Sequence, residues 1–120
     1  MASEPQFDWS QAESLLGDNP NQVDPDMAGI VLELISSSEE KFNDLKKLDS
    51  ADPKAISSLA HQLRGSLLNF GYTEVGAVLH KIEYKEYQPG ELPGLIDQAI
   101  TTFHASNQLL AAKYPVLGIA

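Results

Sequence analysis

The sequence predicts an all-α fold, an antiparallel up-and-down four-helix bundle with a short extra N-terminal helix that covers one end. Three observations predict it. Ala, Leu, Glu, Lys and Gln dominate the periodic segments, and no alternation of Val, Ile and Thr is sustained, which favours helices over strands. Apolar residues recur at intervals of three and four, the spacing of one helix face. Gly and Pro concentrate between these segments, which indicates short loops between antiparallel neighbours.

Turn and capping residues predict the first two helices. A short helix is expected to start near Asp8 or Ser10 and to end at Gly17, before a turn at residues 18–21. The second helix begins with Asp24 as N-cap and Pro25 at its first position, a strong start signal. Its apolar stripe is predicted to face the core and consists of Met27, Ile30, Val31, Leu34, Phe42, Leu45 and Leu48.

The third helix repeats the same start signal, with Asp52 as N-cap and Pro53 after it. Gly71 is expected to adopt a left-handed conformation that ends this helix, with Tyr72 packing back on the last turn. The predicted buried face is Ile56, Leu59, Ala60, Leu63, Leu67 and Phe70.

Thr73 is predicted to cap the fourth helix, and Pro89, Gly90 and Pro93 are predicted to mark the break after it. The buried stripe of the fourth helix is Val75, Val78, Leu79 and Ile82. The last helix should end before Pro115. Its predicted core residues are Leu95, Ile96, Ala99, Ile100, Phe103, Leu109 and Leu110.

The 120 residues fit one domain, residues 1–120, in which residues 1–6 and 115–120 are expected to be loose ends. The absence of cysteine excludes disulfides and thiolate metal sites. No apolar run approaches the ~18 residues needed to span a bilayer, and the first residues do not resemble a signal peptide. We therefore expect a cytoplasmic protein.

The net charge of -9 disfavours nucleic acid and membranes as partners, because phosphate backbones and anionic lipids would repel the surface. A protein with a local basic or neutral patch is a better candidate partner.

The third helix carries an unusual group of side chains around His61. By a helical count His61 lies about 140° from the centre of the apolar stripe, and Arg64 and Leu68 lie on the same flank. Gly65 is one turn from His61, although glycine in an exposed helix costs ~1 kcal/mol relative to alanine. Close approach of another molecule would explain the glycine, Arg64 could neutralise an anion at the ring, and Leu68 could form a docking spot.

The fourth helix adds His80 and Glu83 on a matching flank. Two antiparallel helices joined at Gly71 would bring Glu83 near His61. A carboxylate that accepts a hydrogen bond from Nδ1 fixes the tautomer and leaves Nε2 as a free nucleophile.

Simpler interpretations of the same residues remain open. His61 could be an ordinary surface histidine, Gly65 a helix-packing contact, and Leu68 could bury against a loop. His80 and Glu83 could be a simple side-chain pair on one helix. A metal-binding bundle that uses His61, His80 and Glu83 is a weaker alternative, because no Glu-x-x-His motif recurs on a second helix.

The run of residues 61–66, His-Gln-Leu-Arg-Gly-Ser, followed by Phe70-Gly71 and Ile82-Glu83, resembles the histidine phosphotransfer (HPt) domain. Residues 69–73, with His80 and Glu83, are particularly similar to the phosphotransfer domain of chemotaxis histidine kinases. This resemblance implies a four-helix bundle that relays a phosphoryl group in two-component signalling between its exposed histidine and the aspartate of a response-regulator receiver domain.

By this resemblance His61 is the phosphoacceptor, Glu83 hydrogen-bonds its ring, and His80 matches a histidine of the chemotaxis domains. Arg64 replaces the usual lysine, and Leu67 stands where Ser or Ala is common. The docking surface is expected to comprise Gln62, Gly65 and Leu68.

The expected partners are a receiver domain and a sensor or hybrid histidine kinase. The expected protein is a stand-alone monomer with no cofactor, no metal and no ATP-dependent activity of its own. The alternative is an HPt-like interaction module that binds a receiver or kinase without transfer.

Overall fold

The computed structural model describes residues 4–48 and 52–119, and these residues form five α-helices and no strand. The all-α class is confirmed. The elements are α1 (Trp9–Leu16), α2 (Pro25–Lys47), α3 (Pro53–Leu68), α4 (Thr73–Glu83), α5 (Leu92–Lys113) and a 3-10 turn (Pro115–Leu117). Within the described residues, no helix combines the length and the apolar character that crossing a membrane requires.

Aspartate side chains cap the first three helices as predicted. The Asp8 carboxylate accepts from the backbone N–H of Ser10, that of Asp24 from Asp26 and Met27, and that of Asp52 from Ala55. Each carboxylate thereby satisfies N–H groups that have no partner inside the helix. Gly17 ends α1 with φ 85°.

The turn from α3 to α4 depends on Gly71. Gly71 has φ +95°, and its N–H donates to Leu68 O at 3.2 Å. The N–H of the next residue, Tyr72, donates to Leu67 O at 3.1 Å. This pair of hydrogen bonds is the Schellman arrangement, so the predicted left-handed cap is confirmed. A Cβ atom at Gly71 would lie 2.5 Å from Asp8 O, so glycine is also required by the neighbouring chain.

The prediction that Thr73 caps α4 is wrong. Thr73 is the first helical residue, and its hydroxyl donates to Gly71 O instead of accepting from the helix. The segment before α1 caps α4 instead, because Gln6 O accepts from the N–H of Glu74 at 3.2 Å. The N–H of Asp8 also donates to Gly71 O at 2.8 Å, which holds this segment against the turn. This contact joins residues far apart in the chain.

Two smaller predictions also need correction. Ile30 is 49% exposed, because the buried face of α2 follows Val31, Phe42 and Leu45, and Ile30 lies about 100° round the helix from Val31. Pro93 lies in the first turn of α5, where its missing N–H is tolerated, and so the break before α5 ends earlier than predicted.

The main core lies between α2, α3, α4 and α5. α3 packs against α2 and α4, and α5 packs against α2 and α4. The predicted stripes of α3 and α4 are buried or partly buried in this core. The largest fully buried side chains of the main core are Phe42, Leu45, Ile56, Leu63, Leu67, Tyr72, Leu79, Ile82 and Phe103.

A second cluster lies where α1 meets the start of α2 and the end of α5, so α1 covers one end of the helices as predicted. The Tyr114 hydroxyl donates to Gly17 O at 2.7 Å, and Lys113 Nζ donates to Glu13 Oε1 at 2.6 Å. The buried residues of this cluster are Ala12, Leu16, Val31, Leu110, Tyr114 and Leu117.

The prediction of loose ends does not describe Gln6, which bonds to Glu74, or Leu117, which is 3% exposed. Residues 1–3 and 120 of these predicted ends lie outside the described residues.

Candidate functional site

His61 projects from the outer face of α3. Ala60 and Leu63, which are close to His61 in sequence, are buried. Their packing fixes the rotation of α3 against the core. The His61 side chain is 66% exposed. The helical count from the sequence therefore placed His61 on the correct side of the helix.

The last residue of α4, Glu83, lies next to His61. His61 Nδ1 and Glu83 Oε2 are 2.8 Å apart, so the proximity predicted from the two helical counts is present. The Ser57 hydroxyl, one turn before His61, donates to Glu83 O at 2.8 Å and ties the end of α4 to α3. Ser57 was not predicted as a site residue, although its spacing of four from His61 puts both residues on one face of the helix.

This contact selects one tautomer of the histidine ring. An ionised carboxylate has only acceptors, so Nδ1 must carry the proton that the hydrogen bond uses. In the neutral ring the proton on Nδ1 leaves the Nε2 lone pair free. The arrangement therefore leaves Nε2 unprotonated on a neutral ring whose side chain is largely exposed.

Arg64 occupies the other oxygen of the same carboxylate. Its Nε donates to Glu83 Oε1 at 2.9 Å, and the Glu83 side chain is only 9% exposed. Desolvation raises the pKa of Glu83, but the hydrogen bonds from Arg64 and His61, together with their charges, outweigh it and leave the pKa below its ordinary value. Glu83 is thus held as a carboxylate between two donors.

His80 does not join this group directly. Its ring packs against that of Tyr84, with centroids 4.6 Å apart and an interplanar angle of 45°, and its Nδ1 lies 3.7 Å from Glu86 Oε2. Tyr84 is 56% exposed, and the Arg64 guanidinium lies 5.8 Å from its ring centroid, so Tyr84 contacts both His80 and Arg64. Tyr84 was not predicted as a site residue, although its spacing of four from His80 indicates that the two side chains are neighbours.

The predicted docking residues lie on the open face of α3. Gln62 and Gly65 are exposed, and a Cβ atom at Gly65 would meet nothing within 4 Å. A packing contact inside the protein therefore does not explain this glycine. Leu68 is 37% exposed and rests on Gly76 of α4, not on a loop, because a Cβ atom at Gly76 would lie 2.4 Å from Leu68 Cδ2.

A shallow cavity of about 560 Å³ opens beside His61. Two lysines that the sequence analysis missed, Lys54 and Lys85, line it. The other lining residues are Pro53, Ser57, Ser58, His61 and Glu83.

The described residues contain no group of three or more His, Asp or Glu side chains placed to hold a metal ion. His61, His80 and Glu83, the candidate metal ligands, are accordingly not gathered into one such group.

A family model described as the Hpt domain matches residues 29–112. The match runs from the first turns of α2 to the end of α5 and includes each candidate site residue. Neither a curated protein nor a solved structure matches the chain significantly.

Proposed function

The chain belongs to the Hpt domain family, and from this premise we propose that it relays a phosphoryl group between His61 and the aspartate of a response-regulator receiver domain. Domains of this family are phosphocarriers in histidine phosphotransfer of two-component signalling, and they interact with histidine kinases and response regulators. The relay to a receiver aspartate is the specific part of the proposal.

The observation that carries the proposal is the 2.8 Å contact between His61 Nδ1 and Glu83 Oε2. It orients the ring and leaves Nε2 as the attacking atom. In many active sites a carboxylate orients an imidazole, which then activates a separate nucleophile. Here the oriented imidazole is itself the proposed nucleophile.

In the proposed step, the Nε2 lone pair attacks the phosphorus of the receiver's aspartyl phosphate. The Nε2–P bond forms as the P–O bond to the aspartate breaks, and the electron pair leaves with the carboxylate. The ring becomes a phosphorylated imidazolium that keeps its Nδ1 proton, and Glu83 stabilises this charge. The receiver supplies Mg²⁺ and most of the catalysis.

We propose that Arg64 offsets the charge of the phosphoryl group. Its Nε already donates to Glu83, and the terminal nitrogens of a guanidinium carry further donors that suit phosphate oxygens. His80 is proposed to support the site from the far side of Tyr84. Gln62, Gly65 and Leu68 are proposed as the surface on which the receiver docks.

The remaining expectations extend this proposal. We propose that α2 to α5 form an antiparallel up-and-down bundle, since residues 69–72 and 84–91 are short connections. The carrier is proposed to act in the cytoplasm as a monomer, to receive its phosphoryl group from a sensor or hybrid histidine kinase or a receiver, and to have no ATP-dependent activity of its own.

The test is phosphate transfer from a phosphorylated receiver or a cognate kinase. We expect wild-type protein to acquire acid-labile, base-stable phosphate, and His61→Gln to acquire none, because the glutamine amide lacks a comparable nucleophile. His104→Gln is the matched control, since His104 is an exposed histidine of α5. Labelling of His61→Gln at the wild-type rate would contradict the assignment. Binding without exchange across a panel of receivers would instead indicate an interaction module.

A further inference from the structure

The cavity beside His61 has two walls that carry lysines. Lys54 lies in the first turn of α3, and Lys85 follows the end of α4. Both residues are exposed, and among the described residues neither forms an ion pair with an acidic side chain. Both lysines therefore line the cavity without forming an ion pair in the part of the chain that the structure describes.

The charge around this cavity is opposite in sign to that of the whole protein. The chain has 8 Lys and Arg against 17 Asp and Glu. Two of those basic residues, Lys54 and Lys85, line the cavity. A third, Arg64, binds the carboxylate of Glu83, which also lines it. That carboxylate, on Glu83, is already engaged by Arg64 and His61. The cavity is thus a local positive region on an acidic surface.

Lys85 has a backbone conformation that is unfavourable for a lysine. Lys85 has φ 56° and is the one non-glycine residue with positive φ among those described. The N–H of Glu86 donates to Lys81 O at 2.8 Å, and that of Lys85 donates to Ile82 O at 3.4 Å, so Lys85 occupies the position that Gly71 occupies after α3. Glycine fits this conformation without strain, and lysine does not.

From these observations we infer that Lys54 and Lys85 form an anion subsite that holds the phosphoryl group of the donor as it approaches His61. The inference rests on the proposed function of His61. Lysine ammonium groups bind phosphate oxygens as point charges and draw anions toward a site on a protein that otherwise repels them. The ligand is the phosphoryl group itself, whether it arrives on a small molecule or on a receiver aspartate.

Phosphoramidate is a suitable small probe, because it carries a phosphoryl group without a protein. In this reaction the Nε2–P bond forms, the P–N bond breaks and ammonia leaves. The test compares Lys54→Gln, Lys85→Gln and the double variant. Lys81→Gln is the matched control, since Lys81 lies on α4 and loses the same charge, but it does not line the cavity.

We expect each single variant to react about threefold more slowly than wild type at low salt, and the double variant about tenfold more slowly, the range for exposed charge pairs. The difference should shrink as salt is raised, because screening weakens exposed charges. Lys81→Gln should react at the wild-type rate. The same slowing is expected with a phosphorylated receiver as donor.

Lys85→Gly separates charge from folding. It should slow phosphorylation as Lys85→Gln does, yet raise the melting temperature by about 3 °C, since glycine relieves the left-handed residue. A slow variant that is also more stable cannot owe its defect to misfolding.

The outcomes distinguish the two proposals. If wild-type protein is labelled and the double variant matches its rate with phosphoramidate, the subsite is wrong and the function of His61 stands. If only transfer from the receiver slows, the lysines contact the partner and the subsite is again wrong. If a phosphorylated receiver does not label wild-type protein, the proposed relay fails, and if phosphoramidate does not label it either, the subsite fails with it.

Discussion

At the scale of single residues, Glu83 determines how His61 is presented. One carboxylate oxygen accepts from His61 Nδ1 and the other from Arg64 Nε, so both donors are held by one nearly buried side chain. A change at Glu83 should therefore alter stability and phosphotransfer together, and pH gives a way to separate the carboxylate from its neighbours.

Glu83→Gln should destabilise the protein at neutral pH by about 1–3 kcal/mol, because hydrogen bonds to a charged acceptor are lost. The pKa of Glu83 is lowered in the folded state, so its stabilisation is complete above its ordinary pKa of 4.5 and is lost as pH falls through the lower folded value. Urea unfolding from pH 7 to pH 3 measures this effect. The stabilities of wild type and variant should converge toward the acid end, and a constant difference would contradict the role of the carboxylate.

Part of this site could be predicted from residue spacing, and part could not. The helical counts of α3 and α4 placed His61 and Glu83 on matching flanks, and they meet in the structure. Lys85 lies beyond the last turn of α4, where the helical count no longer applies. The left-handed conformation of Lys85 was also not predictable from its residue type, because that conformation favours glycine.

At the scale of elements, two helical glycines in the site have opposite environments. Gly76 of α4 is buried beneath Leu68, whereas Gly65 of α3 faces open space. A side chain at Gly76 would displace Leu68 from its packed position on α4. A side chain at Gly65 would meet only what approaches from outside, so the open glycine is the cleaner test of docking.

Gly65→Ala should stabilise the protein by up to about 1 kcal/mol, because alanine is the better helix former, and should slow transfer from a receiver by obstructing its approach. Gly29→Ala is the matched control, since Gly29 is an exposed glycine of α2 with nothing within 4 Å of its Cβ position. Chemical denaturation and transfer rates measure both effects.

The control variant should gain similar stability and transfer normally. Phosphoramidate should label both variants at the wild-type rate, because a small donor needs no access for a protein. Unchanged transfer from the receiver to Gly65→Ala would show that Gly65 does not limit docking.

The helix starts were predictable where the capping group is close in sequence, as at Asp24 and Asp52. The start of α4 was not, because Thr73 is a sound local cap and its role is taken by Gln6, which is 68 residues away from Glu74. A contact between residues so far apart in the chain produces no local sequence pattern from which it could be predicted.

At the scale of the whole molecule, two buried tyrosines join distant segments. The Tyr72 hydroxyl donates to Asn107 Oδ1 in α5, and the Tyr114 hydroxyl donates to Gly17 O after α1. Burial raises the pKa of Tyr72, and it also raises that of Tyr114. Each cluster of the core thus contains a phenol that must stay neutral in the folded state.

Stability should therefore fall as pH rises above about 10, where tyrosines of the unfolded chain ionise and the buried ones resist ionisation. Tyr72→Phe should reduce this alkaline loss, although it costs about 1–3 kcal/mol at neutral pH by leaving buried Asn107 without its partner. Thermal unfolding from pH 7 to pH 11 measures both effects. Tyr84→Phe, at an exposed tyrosine, should leave the alkaline loss in place, and an equal change in both variants would argue against the role of burial.

The sequence was sufficient for the helical class and for the cover that α1 provides, because amphipathic stripes and caps repeat along the chain. It was not sufficient for the 3-10 turn at Pro115–Leu117, where Leu117 is buried against the second cluster. Proline disfavours continuation of the helix that precedes it, so the end of α5 is predictable, whereas the direction of the chain beyond Tyr114 depends on α1.

The turn at Gly71 has a consequence for the order of assembly. His61 and Glu83 are separated by only 22 residues, so the α3–α4 hairpin closes a short loop and can form while the chain is otherwise open. The bond between Gln6 and Glu74 closes a loop of 68 residues and must wait for a more compact chain. We therefore expect the contact between His61 and Glu83 to form within a local hairpin, and the N-terminal segment to bond to that hairpin later.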